Sequence, residues 1–175
     1  MLKKQINWGI IGLGKIANKF ASDLNLSDKA ILHGVASRNV DKAKVFAQKY
    51  NSVKYFNSYE ELAKSPEIDV VYIATPHALH FENTMMCLKN GQSVLCEKPL
   101  GMDSDEVELM RKEAKSRHLF LMEGMWTRSI PATVPLIELL HTNVIHHITS
   151  TRPDLALRPE FALAGTAFTT YLAAR

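Results

Sequence analysis

The sequence predicts an α/β fold: a doubly wound, mainly parallel sheet with helices on both faces, then the start of a second α/β domain that is largely missing. Three observations predict it. Apolar runs with β-branched residues alternate with segments of helical period over the first 140 residues. The runs are mainly apolar rather than alternating, as in strands covered on both faces. A glycine-rich turn separates the first run from the first helical segment.

The strands are predicted at 6–11, 31–36, 69–74, 93–96 and 119–122, with a weaker one at 53–56. After the first strand, Ile16, Phe20 and Leu24 fall on one helix face; after the second, Ala43, Phe46, Ala47 and Tyr50 do the same. Ser58 with Glu61 forms a capping box before Leu62. Phe81, Met85 and Leu88 make the next stripe, stopped by Asn90-Gly91. Asp103 and Glu106 are a further capping pair, ahead of Val107, Met110 and Ala114. A last helix is expected at 129–140 and a strand start within 143–150, whereas 151–175 shows no clear period. The domains are therefore drawn at 1–125 and 126–175.

The chain has 175 residues, 46% hydrophobic and 22% charged, with a net charge of +3. These are ordinary globular values, enough for one domain and a fragment of another. The cations are scattered, so nothing predicts nucleic-acid binding, and no apolar run approaches the ~18 residues of a membrane span. Cys87 and Cys96 have no metal-ligand spacing; in a chain that opens without a signal peptide they are expected to be reduced thiols of a cytoplasmic protein. His141, His146 and His147 lack placed acidic or cysteine companions, so no metal site is expected.

Four strand ends carry the chemistry. Gly12-Leu13-Gly14-Lys15-Ile16-Ala17 fits G-x-G-x-x-A directly after a strand and opening a helix. In that context the first glycine allows the tight turn, the second admits a pyrophosphate, and the helix start offers amide donors to phosphate. The second strand ends in Ser37 and Arg38, with Lys42 a turn later. A hydroxyl and two cations suit a 2′-phosphate dianion, so NADP is favoured, with NAD possible. Asp41 is placed to cap the following helix. The strand at 69–74 ends in Ala74-Thr75-Pro76, with His77 and His80 at the next helix start, where they could contact cofactor or substrate or simply bond locally. The strand at 93–96 delivers Glu97, Lys98 and Pro99. There Lys98 could stabilise a developing alkoxide, oriented by Glu97, or merely solvate a strand end.

Together these motifs resemble the Gfo/Idh/MocA family of NAD(P)-dependent oxidoreductases. The resemblance rests on Gly12-x-Gly14-x-x-Ala17, then Ala74-Thr75-Pro76 with His80, then Glu97-Lys98-Pro99. The run from Met122 through Trp126 to Arg128 is similar to the dihydrodiol dehydrogenase and glucose–fructose oxidoreductase branch. The resemblance, over about residues 5–140, implies a Rossmann domain holding NAD(P), with Lys98 catalytic and the bond before Pro99 commonly cis. It also implies Glu97 and Lys98 beside the nicotinamide ribose, and Trp126 and Arg128 near the cofactor–substrate cleft. The substrates it implies are sugars, polyols and cyclic diols, exchanging hydride at a carbinol carbon.

Family members carry a complete second domain that supplies further catalytic residues. Here Leu163 to Arg175 shows one glycine, Gly165, with no aspartate after it, so no second-domain role transfers to Tyr171. The chain is therefore expected to be a short or truncated form, active or not by itself. A non-catalytic dinucleotide-binding module, or a degenerate remnant, is the competing reading. Uncovered Trp126, Ile130 and Leu136 would favour homo-oligomers.

Overall fold

Helices and strands alternate along a chain that buries both sides of its sheet. The computed structural model describes residues 5–126 and the backbone of two short strands, 151–153 and 170–172. Contacts divide the chain into two compact units, Met1–Gly124 and Met125–Arg175. The order is β1 (Ile6–Ile11), α1 (Lys15–Leu24), β2 (Ala30–Ala36), α2 (Val40–Tyr50), β3 (Lys54–Phe56), α3 (Tyr59–Ala63) and β4 (Val70–Ile73). A 3-10 turn (His77–Leu79) leads into α4 (His80–Lys89), then β5 (Ser93–Cys96), α5 (Ser104–Ser116) and β6 (Leu121–Glu123).

The six strands are ordered β3-β2-β1-β4-β5-β6, and every pairing is parallel. Strand order reverses between β1 and β4, the position where open α/β sheets leave a crevice at the strand C-termini. Neighbouring residues of one strand feed opposite cores. Ile11, Val71, Ile73, Val94 and Cys96 pack with Leu62, Cys87, Leu88 and Ala114 on one face. Ile10, Val35 and Tyr72 pack with Ala17, Ala21, Ala43 and Phe46 on the other. The period-2 pleat, applied to strands buried on both sides, requires this division.

Local signals set most boundaries. The Glu61 amide donates to Ser58 Oγ at 3.1 Å and the Glu106 amide to Asp103 Oδ1 at 2.9 Å. The glutamates reach back as well, but to the amides of Asn57 and Met102, one residue before each cap. Helix α2 is capped by Asn39, which accepts from the Lys42 amide at 3.0 Å. Asp41 lies inside the first turn instead, because the cap residue must keep extended backbone angles and Asn39 is the one that does. The predicted 119–122 strand shifts to Leu121–Glu123. His118 takes a left-handed φ of 57°, and the Leu119 amide bonds the Ala114 carbonyl, so Leu119 completes the end of α5.

In the second unit, the strands β7 (Thr151–Pro153) and β8 (Thr170–Leu172) pair antiparallel, a pairing with no counterpart in the local periodicity. The expected 129–140 helix and 143–150 strand lie outside the described residues. Among the described residues, no helix is long and apolar enough to cross a membrane, and no group of three or more His, Cys, Asp or Glu side chains could hold a metal ion.

Candidate nucleotide-binding site

Strands β2, β1, β4 and β5 are consecutive in the sheet and parallel. The four sequence-predicted clusters therefore stand side by side along one edge. Gly12 sits at φ +86°, and a Cβ there would lie 2.7 Å from the Ala74 carbonyl group and the Thr75 nitrogen. The turn after β1 thus presses directly against the end of β4, which only glycine permits. Gly14 is the reverse case: its backbone is extended, and a Cβ would meet nothing within 4 Å. Open space therefore stands in front of the first residue before α1.

That helix start suits an anion. Helix α1 has no side-chain cap and no acidic residue in its first turn, so its leading amides and the positive end of its dipole face the open space without a competing carboxylate. Leu13 is buried behind the turn, while Lys15 and Ile16 are exposed. A pocket of about 440 Å³ opens alongside, between α1 and α2, lined by Leu13, Asn18, Asn39, Asp41, Lys42, Val45, Phe46 and Lys49. It flanks the glycine turn but does not extend to Lys98.

At the end of β2, Ser37 is nearly buried and its hydroxyl accepts from the Asn39 amide at 3.2 Å, fixing the turn. Arg38 and Lys42 are exposed beside it. At the end of β4, Ala74 is half-buried, Thr75 buried, and Pro76 and His77 exposed. His80 is fully buried. Its Nδ1 lies 2.6 Å from the Pro99 carbonyl oxygen and its Nε2 lies 2.9 Å from the Thr75 carbonyl oxygen. Both ring nitrogens therefore face main-chain carbonyls, and the ring ties the end of β4 to the turn after β5. Asn83, one helical turn on, donates to Thr75 Oγ1 at 3.1 Å.

The turn after β5 carries Glu97, Lys98 and Pro99, with a cis Lys98–Pro99 peptide. Lys98 is exposed and Glu97 half-buried. The Glu97 carboxylate makes no ion pair with the Lys98 ammonium and meets the Lys98 main chain instead. It accepts from the Tyr72 hydroxyl at 2.5 Å through Oε1 and from the Lys98 main-chain amide at 3.3 Å through Oε2. Burial and the neighbouring Glu97 hold the Tyr72 phenol well above its ordinary value, so it stays protonated and donates. Glu123 of β6 accepts from the Leu100 amide at 3.0 Å, closing the turn from the far side.

Trp126 belongs to the second unit and is half-exposed, and Arg128 lies outside the described residues. Sequence reasoning missed Asn39, Tyr72, Asn83 and Glu123. Asn83 was legible in part, since it follows His80 by three residues on one helix. Tyr72 carried no signal, being one apolar residue within an apolar strand.

The model of the oxidoreductase family with an NAD-binding Rossmann fold matches residues 6–125. The chain belongs to this family. Among its curated Gfo/Idh/MocA-type relatives, mouse (Mus musculus) trans-1,2-dihydrobenzene-1,2-diol dehydrogenase is 42% identical over 152 residues, 85% of this chain and 45% of the relative. The Sus scrofa enzyme of the same name is 44% identical over 138 residues, 77% of this chain and 41% of the relative. A 3-ketoreductase from Actinomadura kijaniata, solved with NADP and TDP-benzene, superposes with a TM-score of 0.77 at 30% identity, over 85% of this chain and 46% of that one. The chain thus spans less than half the length of the relatives it matches.

Proposed function

We propose that the chain is the cofactor-binding part of an NADP-dependent oxidoreductase that moves hydride between nicotinamide and a carbinol carbon of a sugar, polyol or cyclic diol. The observation that carries this is the meeting of an uncapped helix start, an open glycine turn, a cation pair and the Lys98 turn on four adjacent strand ends. Bound NADP supplies the hydride chemistry.

The remaining work belongs to this chain's residues. Gly12, Leu13, Gly14, Lys15 and Ile16 receive the pyrophosphate, with the α1 amides as donors. Ser37, Arg38 and Lys42 take the 2′-phosphate, and no carboxylate stands at the end of β2 to repel it. Ala74, Thr75, Pro76 and His77 border the cleft. His80, with both nitrogens committed to carbonyls, serves there by shaping the wall. Glu97 meets the nicotinamide ribose. Lys98 acts at the substrate oxygen. Its ammonium stabilises negative charge on that atom and supplies the proton in the direction of reduction.

In this reading 1–125 is the nucleotide-binding domain and 126–175 the start of a second, substrate domain. Cytoplasmic location and self-association are part of the same reading. Titration calorimetry tests it. NADPH binds, and binds more tightly than NADH, and it slows acylation of Lys98 followed by mass spectrometry. Absence of binding by both nucleotides overturns the proposal. NADPH binding with no protection of Lys98 leaves the non-catalytic dinucleotide module as the correct reading.

A further inference from the structure

We infer that Tyr72 is a positioning residue for the Lys98 turn, acting from inside the core through the Glu97 carboxylate. Tyr72 is 2% exposed, so it cannot serve as a cofactor contact in its own right. Its ring packs in the core beneath α1 and α2, stacked on Phe20 at a centroid distance of 3.8 Å, and Phe20 in turn meets Trp8 edge-on at 5.4 Å. Its hydroxyl, at the other end, donates to Glu97 Oε1 at 2.5 Å. One side chain thus joins the helix that follows the glycine turn to the turn that carries Lys98.

The chemistry explains why a tyrosine stands in an otherwise aliphatic strand. A carboxylate offers about four acceptor positions and no donor. With Oε1 held by the phenol, the carboxylate cannot rotate freely, so Oε2 stays over the Lys98 amide at 3.3 Å. Oε2 still has a lone pair to spare for a ribose hydroxyl. Without the phenol the carboxylate loses its inward anchor and its hold on the Lys98 amide. The hydrogen bond joins a neutral donor to a charged acceptor, the stronger kind.

This inference rests on the proposed role of the turn only for its effect on cofactor, so the test has two arms. Tyr72→Phe keeps the ring and its stack on Phe20 and removes one hydroxyl. In the first arm, hydrogen exchange of the Lys98 amide is followed in the full chain without nucleotide. Exchange is expected to accelerate about tenfold in Tyr72→Phe, equally in Glu97→Ala, and no further in the double variant, while β4 amides are unchanged. Unchanged exchange at Lys98, additive effects, or acceleration spread over all of β4 overturns the inference. In the second arm, NADPH affinity is measured by calorimetry. Tyr72→Phe is expected to weaken it about three- to tenfold in the wild-type background and less than about twofold on top of Glu97→Ala. Failure of every protein to bind NADPH or NADH defeats the proposed function and leaves the exchange arm to decide on Tyr72. Should Tyr72→Phe not fold, Glu97→Ala alone decides: normal Lys98 amide exchange in that variant refutes the coupling.

Discussion

Two glycines separated by one residue should fail in different ways when replaced by alanine. At Gly12 the φ of +86° is one that L-residues rarely adopt, and a Cβ would stand 2.7 Å from main-chain atoms of Ala74 and Thr75. Main-chain atoms of an adjacent strand end cannot swing aside as a flexible side chain can. The left-handed conformation costs about 1–2 kcal/mol for a residue with a Cβ. Overpacking against rigid neighbours costs roughly 1–3 kcal/mol more. Gly12→Ala should therefore destabilise the first unit by about 2–5 kcal/mol, which at roughly 3–4 °C per kcal/mol lowers the melting temperature by ~6–20 °C. Gly14→Ala meets open space on extended backbone, so it should cost no more than about 1 kcal/mol, the order of an N-cap change. Its methyl group projects into the space assigned to the pyrophosphate, so NADPH affinity should fall at least about tenfold, equivalent to ~1.4 kcal/mol. Denaturant titration and calorimetry on the two variants separate the effects. A Gly12→Ala protein within about 0.5 kcal/mol of wild type, the range of ordinary surface substitutions, would show that the close approach to Ala74 is not a packing constraint.

Other outcomes are equally specific. Arg38→Ala combined with Lys42→Ala should weaken NADPH binding by more than about tenfold and leave NADH within about twofold, because only the 2′-phosphate distinguishes the two ligands; equal losses in calorimetry would place the phosphate elsewhere. His80→Ala should cost about 2–4 kcal/mol in denaturant unfolding, since it opens a buried cavity and strips the Thr75 and Pro99 carbonyls of their partner; a loss under about 0.5 kcal/mol would mean that water or rearrangement replaces the ring. Burial pushes the Cys87 and Cys96 thiols up to about 12 from an ordinary 9. The folded state then holds protons that the unfolded chain releases, so these groups stabilise fully below about pH 9 and their contribution fades as pH rises toward 12. Stability measured from pH 8 to 11 should fall in the upper part of that range, and less steeply in Cys87→Ala; a flat profile in both proteins would refute it.

The four strand ends were legible because the residue types that make them are chemically restrictive. A turn pressed against a neighbouring strand needs glycine, a helix start needs a small or polar cap, and a strand buried on both faces needs a mainly apolar run. Each of these is a local demand, so the strand–helix order and the clusters at Gly12–Ala17, Ser37–Arg38, Ala74–His80 and Glu97–Pro99 could be placed from spacing. The failures share a cause too. Asn39 displaced Asp41 as cap, and Leu119 joined the end of α5 rather than β6, because each boundary depended on a backbone angle set within one turn of chain.

What the sequence by itself determined is the alternation of elements, the presence of a nucleotide-type turn, and the identity of the polar residues at each strand end. Only the tertiary structure decided how those residues are used. The parallel order β3-β2-β1-β4-β5-β6 brings Gly12 against Ala74 and Tyr72 under Glu97, pairs separated by 62 and 25 positions in the chain. Hydrogen bonds act over about 3 Å, and period and composition along the chain carry no information about which distant residues come that close. For that reason His80 could pass for a ligand by spacing and stand in the fold as a strut, and Tyr72 could pass for core by hydropathy and stand in the fold as the anchor of Glu97.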